Sequence, residues 1–186
     1  MQKQIIFTII ISVLILYPQT NSHAWPIPHS GVTKCYDNEK EIPLPPKPGE
    51  PFYGQSGNYT INPKSYTKLD EKGNDLPDDA EEWVMVRDNV TGLIWEVKQA
   101  RDDIQNYDNP HDSDNTYTWY DTNPETNYGY TGSYNEGKNT EMFIKQINES
   151  RFGGFEDWRL PSIKELESLA ALERYSPAIN QFYFEE

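Results

Sequence analysis

The feature that most constrains this chain is residues 152–166, which read Phe-Gly-Gly-Phe-Glu-Asp-Trp-Arg-Leu-Pro-Ser-Ile-Lys-Glu-Leu. The pattern predicts a tight glycine turn, a short extended segment and then a helix. Ser162 and Glu165 have the spacing of a capping box, in which each side chain accepts a hydrogen bond from the other residue's backbone N–H. So structured a motif normally lies inside a domain, and here the sequence ends soon after it. We therefore expect a fold that lacks its last part.

The first 24 residues have the pattern of a secretory signal peptide. Lys3 supplies a positive start, residues 5–16 are apolar apart from Thr8 and Ser12, and small residues precede a cleavage point after Ala24. The apolar run is shorter than the roughly 20 residues that a membrane span needs. We expect cleavage and export to the periplasm, cell surface or medium; a retained N-terminal anchor is the alternative.

The charge of the chain excludes one class of partner. Residues 1–24 contain one lysine and no acid, so their removal leaves 15 basic and 30 acidic residues and changes the net charge from −14 to −15. A field of this sign repels phosphate backbones and strongly sulfated glycans, and the basic residues form no local patch. We expect no nucleic-acid partner. The remaining 162 residues are enough for one domain with a core.

Cys35 is the single cysteine. It allows no disulfide within the chain, although an exported protein would tolerate one. The residue is then a leftover thiol, an intermolecular bridge or a nucleophile. A nucleophile needs a basic or helix-terminal setting, which Cys35 does not have in the sequence.

Proline divides the mature chain into two parts. Residues 25–80 hold nine of the fourteen prolines, which remove backbone donors and disfavour helix. We expect an irregular arm there and a domain over residues 81–186. Within that domain, residues 83–87 and 93–97 predict a β-hairpin around Gly92.

Two helices are predicted after the hairpin. The first begins after Asn139 or Thr140 and ends near Ser150, with Phe143, Ile144 and Ile147 on one face. The second runs from Ile163 to about Leu172, and its apolar face comprises Ile163, Leu166, Leu169 and Ala170. The fold class is therefore α+β. One hairpin is a small surface for two helices, which again indicates missing strands.

The long polar loop at residues 98–138 holds the candidate binding residues. Tyr117, Trp119 and Tyr120 offer flat faces with polar tips, which suit stacking on sugar rings. Strand alternation would place Tyr117 and Trp119 on one face, and at least one face would belong to the core. The loop also holds Asp108, Asp112 and Asp114, whose hard oxygen atoms suit calcium. Their spacing matches no known calcium loop, so a solvated acidic loop is the alternative.

Four segments in order resemble a bacterial family of domains of unknown function: Gly-Leu-Ile-Trp ending at Trp95, Tyr-Thr-Trp-Tyr at 117–120, Thr-Glu-Met-Phe at 140–143, and Asp-Trp-Arg-Leu-Pro-Ser ending at Ser162. This family includes the C-terminal domain of Legionella collagen-like proteins. The resemblance implies an exported protein with a fold akin to C-type lectins and formylglycine-generating enzymes. Relatives often carry a second cysteine where this chain has Leu44, and they continue into further strands.

The family motif predicts structure more than chemistry. We expect Trp158 and Leu160 to be buried against the helices, Arg159 to pair with a nearby carboxylate, and Glu165 to cap a helix. We expect Trp95 and Pro161, which belong to the same family pattern, to be structural as well. No Ser/His/Asp set, histidine cluster or phosphate loop indicates an enzyme. The sequence favours an exported, non-catalytic binding or adhesion domain, with carbohydrate as the candidate ligand. A degenerate fragment without autonomous function is the alternative, and an envelope enzyme is a third.

Overall fold

A computed structural model describes residues 12–13, 26–175 and 177–184 of the chain. Within these residues lie seven strands and two α-helices. The strands are β1 (Ser12–Val13), β2 (Cys35–Tyr36), β3 (Glu41–Ile42), β4 (Tyr66–Leu69), β5 (Met85–Asp88), β6 (Ile94–Glu96) and β7 (Trp158–Arg159). The helices are α1 (Thr140–Ser150) and α2 (Ile163–Leu169). This mixture confirms the α+β class.

Five of these strands form one sheet in the order β4-β5-β6-β1-β7. The predicted hairpin of β5 and β6 is confirmed, with Val86 opposite Trp95. Gly92 takes a φ of +78° in its turn, which glycine adopts without strain. The small pair β2–β3 stands apart from this sheet.

The sheet has more strands than the sequence predicted. β4 lies inside the stretch expected to be irregular and pairs along its whole length with β5. The prediction was wrong for these residues because the prolines cluster at 43–51, whereas the Tyr-Thr-Lys-Leu of β4 suits a strand. β1 lies inside the predicted signal peptide and pairs with both β6 and β7. Two helices therefore cover five strands rather than one hairpin.

Both faces of the sheet are covered. On the first face, α1 contributes Phe143 and Ile147 to a cluster completed by four other buried residues: Leu69, Met85, Ile94 and Trp158. On the second face, Leu169 of α2 and Phe184 pack on Tyr66, Val86, Leu93 and Trp95. Alternate residues of β5 and β6 supply the two faces, as the pleat of a strand requires.

The two helices differ in how well they match their predictions. For α1, the Asn139 side chain accepts a hydrogen bond from Met142 N at 3.0 Å. Phe143 and Ile147 of the predicted apolar face are buried, and Ile144 is half-buried. For α2, the capping box of Ser162 and Glu165 is present, but the helix ends at Leu169 rather than Leu172. Ile163 is 76% exposed and Leu166 38% exposed. Their predicted burial was wrong because α2 reaches the sheet core only at its last residue.

Part of the arm packs on the segment that follows α2. Leu172 N donates to Ser30 O at 2.9 Å, and the Thr33 hydroxyl donates to Glu173 at 2.8 Å. Cys35 is 1% exposed and its sulfur lies 3.7 Å from Asn58 Oδ1. An intermolecular disulfide would therefore require β2 to open first.

Candidate functional site

The Tyr-Thr-Trp-Tyr segment is held by the backbone on both sides. On one side Thr118 N donates to Lys138 O at 2.9 Å, and Thr140 N donates to Thr118 O at 3.0 Å. On the other side Ser133 N donates to Trp119 O at 2.9 Å. Thr140 Oγ1 also accepts from Tyr120 N and donates to Tyr120 O. Because Thr140, at the start of α1, takes part in three of these five bonds, the helix fixes the segment in place.

Trp119 lies on the surface of this segment. The residue is 41% exposed, and its indole Nε1 donates to Tyr130 O at 3.2 Å. Gly132 lies beneath it at a φ of +83°, and a Cβ there would come within 2.6 Å of the indole Cδ1. The close approach of the two segments therefore requires glycine at position 132.

Further aromatic residues lie in the same segment and in the turn that is hydrogen-bonded to it. Tyr120 packs edge-on against Tyr134 with ring centroids 5.3 Å apart. Tyr134 is 62% exposed and Tyr130 67% exposed. We call Trp119, Tyr120, Tyr130 and Tyr134 the aromatic surface. The sequence predicted two of its members; Tyr130 and Tyr134 were missed because they lie in a turn-rich stretch without strand alternation.

Tyr117 belongs to the core rather than to this surface. Its ring stacks on Phe143 with centroids 4.7 Å apart and meets Tyr107 edge-on at 5.7 Å. Burial raises the pKa of Tyr117 to about 12. The segment makes isolated bridges at Thr118 and Tyr120 rather than a continuous ladder, and Tyr117 packs on the core while Trp119, two residues on, stays exposed.

The carboxylates beside the aromatic surface accept hydrogen bonds. Glu141 accepts from Thr122 N at 3.1 Å, and Asp121 accepts from the Thr126 hydroxyl at 2.7 Å. These groups give the rim of the surface negative charge and acceptor oxygens. Such a rim suits hydroxyl-bearing, uncharged molecules and disfavours anions.

The three candidate calcium ligands have separate roles. Asp114 is buried and accepts from Asp102 N, Asp103 N and Arg101 Nε, each at 2.9 Å. Burial alone would raise the pKa of Asp114, but these donors hold it below its ordinary value. Asp112 accepts from Asp114 N at 2.7 Å, and Asp108 is exposed. Over the described ranges, no group of three or more acidic, histidine or cysteine residues could hold a metal ion.

A buried ionic cluster went unnoticed in the sequence. Glu96, which is 1% exposed, accepts from His111 Nδ1 at 2.7 Å and lies 3.0 Å from Lys98 Nζ. Lys98 also lies over the Phe143 ring, and burial lowers its pKa while Glu96 opposes that shift. His111 borders a cavity of about 430 Å³, to which Lys72 and Phe152 also contribute. Glu96 and His111 are fifteen residues apart, so no local pattern joins them.

The family motif supports the fold. Trp158 is 2% exposed and donates from Nε1 to Phe152 O at 2.9 Å. Arg159 forms a bidentate pair with Glu165, at 3.0 and 2.5 Å. Burial alone would raise the pKa of Glu165, but Arg159 and the Ser162 backbone lower it to about 2. Leu160 packs on the first-face cluster, and Trp95 is fully buried in the second.

The fold and surface together define a small α+β domain with an aromatic-rich, acidic loop held against a helix. This chain belongs to the family described as the Lcl C-terminal domain, whose family model matches residues 84–186. The match contains β5, β6, both helices and β7, together with the aromatic surface. Comparisons with the curated proteins and with the solved structures give no match.

The family name refers to a domain of a collagen-like protein of Legionella, and the family is associated with surface or secreted proteins. In the described part of this chain, the helices are all too short or too polar to cross a bilayer.

Proposed function

We propose that this chain is an exported, non-catalytic binding domain of the adhesion type, and that its aromatic surface binds carbohydrate. The observation that carries the proposal is the position of Trp119. The segment that carries it is hydrogen-bonded on both sides, yet 41% of the residue remains exposed. A fixed, exposed indole loses little conformational freedom on binding, so more of the contact energy contributes to affinity.

The charge of the surroundings narrows the ligand class. The chain carries a net charge of −14, and Asp121 and Glu141 lie beside the aromatic surface. Neutral sugars present apolar C–H faces to the rings and hydroxyls to these carboxylates. We therefore propose a neutral glycan at a cell surface, and we expect sulfated glycans to bind poorly at low salt.

Trp119→Ala tests the proposal. We expect the full chain to bind a subset of neutral glycans on an array, and the variant to bind them at least about 10-fold more weakly, or about 1.4 kcal/mol. Tyr175→Ala is the matched control, because Tyr175 is 95% exposed and lies outside the aromatic surface.

Equal binding by the two variants would place the glycan site elsewhere. Binding to no glycan under any condition would remove carbohydrate as the ligand. Retained thermal melting of Trp119→Ala separates a lost contact from a lost fold, because an exposed side chain contributes little to stability.

A further inference from the structure

In the sheet, β6 and β7 are not hydrogen-bonded to each other, because β1 lies between them. We call the space between β6 and β7 the slot. Both strands lie in the matched family region, and each pairs antiparallel with β1, which lies far outside that region. Ile94 and Trp158 are both partners of Val13, and Trp95 and Arg159 are both partners of Ser12. One two-residue strand therefore joins the two halves of the sheet.

The peptide groups of β6 point into this slot. Leu93 O accepts from Asp88 N at 2.8 Å, and Val97 N donates to Val84 O at 2.9 Å. Residues 93, 95 and 97 thus direct their peptide groups toward β5, because successive residues of a strand face opposite edges. The peptide groups of Ile94 and Glu96 consequently face β1.

β7 likewise has one edge that is already hydrogen-bonded and one that faces the slot. Trp158 N donates to Asn148 Oδ1 at 2.7 Å, and Asn148 Nδ2 donates to Trp158 O at 2.9 Å. The Asn148 side chain thus occupies the outer edge of β7, so the peptide groups of Arg159 face the slot. The edges of β6 and β7 that face the slot are its two walls. Their backbone N–H and C=O groups are therefore satisfied by whichever strand lies between them.

The slot is buried from both faces. Ile94 and Trp158 belong to the cluster beneath α1, and Trp95 belongs to the cluster beneath α2. Unpaired backbone groups at such a place are costly. A strand covered on two faces is apolar at successive positions rather than at alternate ones. Residues 9–16, Ile-Ile-Ile-Ser-Val-Leu-Ile-Leu, have this composition and carry no charge.

We propose that this slot is a strand-acceptor site, which binds one extended, uncharged and continuously apolar segment of another polypeptide when β1 leaves it. β1 shows the geometry of the bound strand: antiparallel to both walls, with one residue opposite Ile94 and Trp158. Removal of residues 1–24 as a signal peptide would vacate the slot. This site is separate from the aromatic surface and does not depend on carbohydrate binding.

The test uses the full chain with a protease site inserted between Ala24 and Trp25. The probe is a fluorescent synthetic peptide of residues 8–16 with three added lysines for solubility. The control peptide carries Ser12→Pro and Val13→Pro, because proline has no N–H to donate to the walls. Fluorescence anisotropy measures binding to cut and uncut protein, and hydrogen exchange follows the amides of Ile94 and Arg159.

We expect the cut protein to bind the probe saturably, and at least about 10-fold more tightly than the uncut protein, because the tethered β1 competes at a high effective concentration. The proline peptide should bind at least about 10-fold more weakly than the probe. The amides of Ile94 and Arg159 should exchange faster once the leader has been cut and displaced. Their exchange should slow again when the probe is bound. If cutting unfolds the protein, excess probe should restore its circular dichroism.

Several results would overturn the proposal. Equal binding of both peptides, equal binding to cut and uncut protein, or no binding would each exclude a strand-acceptor site. So would an unfolded cut protein that the probe does not restore. A stable dimer of the cut protein that excludes the probe would also overturn the proposal, because a second copy of this chain, and not a segment of a different protein, would then close the slot.

Discussion

The two helices of this domain have similar local signals and different tertiary environments. α1 begins at a buried asparagine cap and places Phe143 and Ile147, 1% and 0% exposed, in the core. α2 begins at a complete capping box, yet buries only Leu169. Caps thus determine where these helices begin, whereas the stability each helix contributes depends on the side chains that it buries.

The largest expected effect comes from the core side of α1. Phe143→Ala removes a ring that contacts Tyr117 and leaves a cavity under the sheet, so we expect a loss of about 3–5 kcal/mol in the free energy of unfolding. Leu166→Ala on α2 is the control and should cost no more than about 0.5 kcal/mol. Chemical denaturation of the full chain measures both. Similar losses from the two variants would mean that the α2 face is covered after all.

The two helix caps should also contribute unequally to the free energy of unfolding, with a smaller difference between them than between Phe143 and Leu166. The Asn139 side chain is fully buried, accepts from Met142 N and donates to Asn135 O at 2.7 Å. Asn139→Ala leaves Met142 N without its acceptor and removes one of the two donors to Asn135 O, which still accepts from Lys138 N at 3.1 Å, so we expect a loss of about 1–2 kcal/mol. Ser162→Ala, at an exposed cap, should cost about 0.5–1 kcal/mol. A larger loss in the free energy of unfolding for Ser162→Ala than for Asn139→Ala, measured by chemical denaturation, would mean that burial does not strengthen the α1 cap.

The ion pair of α2 should depend on pH. The pKa of Glu165 falls from its ordinary 4.5 to about 2 in the folded state. A lowered folded pKa gives stability that is fully present above pH 4.5 and is lost as the pH falls toward 2. Glu165→Gln keeps the capping geometry and removes the charge.

We expect Glu165→Gln to reduce the free energy of unfolding by about 1 kcal/mol at pH 7, because solvent screens the partly exposed pair. The difference from the unsubstituted chain should disappear near pH 2. Glu167→Gln, on an exposed residue of the same helix, should have little effect at either pH. A difference that persists at pH 2 would mean that Glu165 acts through packing rather than charge.

The sequence predicted those parts of the fold that depend on neighbouring residues. Gly92 in the hairpin turn, the Asn139 cap and the Ser162–Glu165 box all have short-range signals, and all three are confirmed. The burial of Ile163 and Leu166 was predicted incorrectly, because periodicity identifies an apolar face but not the surface that covers it.

The wrong and the missed predictions concern residues that are far apart in the sequence and meet only in the folded chain. β4 was not predicted because the prolines near it indicated an irregular arm. β1 was not predicted because the composition of its segment indicates a signal for export. The cluster of Glu96, Lys98 and His111 forms only when the loop folds back over the sheet. For the candidate site, the sequence identified Trp119 and Tyr120 but could not separate them from Tyr117, whose ring the fold uses as core.

The Asn148 side chain has a further consequence for how copies of this protein meet in solution. By bonding both peptide groups of Trp158, it blocks the outer edge of β7. At the opposite end, Leu76 N donates to Lys68 O at 2.9 Å and so covers part of the outer edge of β4. With its two rims capped in this way, the sheet resists edge-to-edge stacking into fibrils.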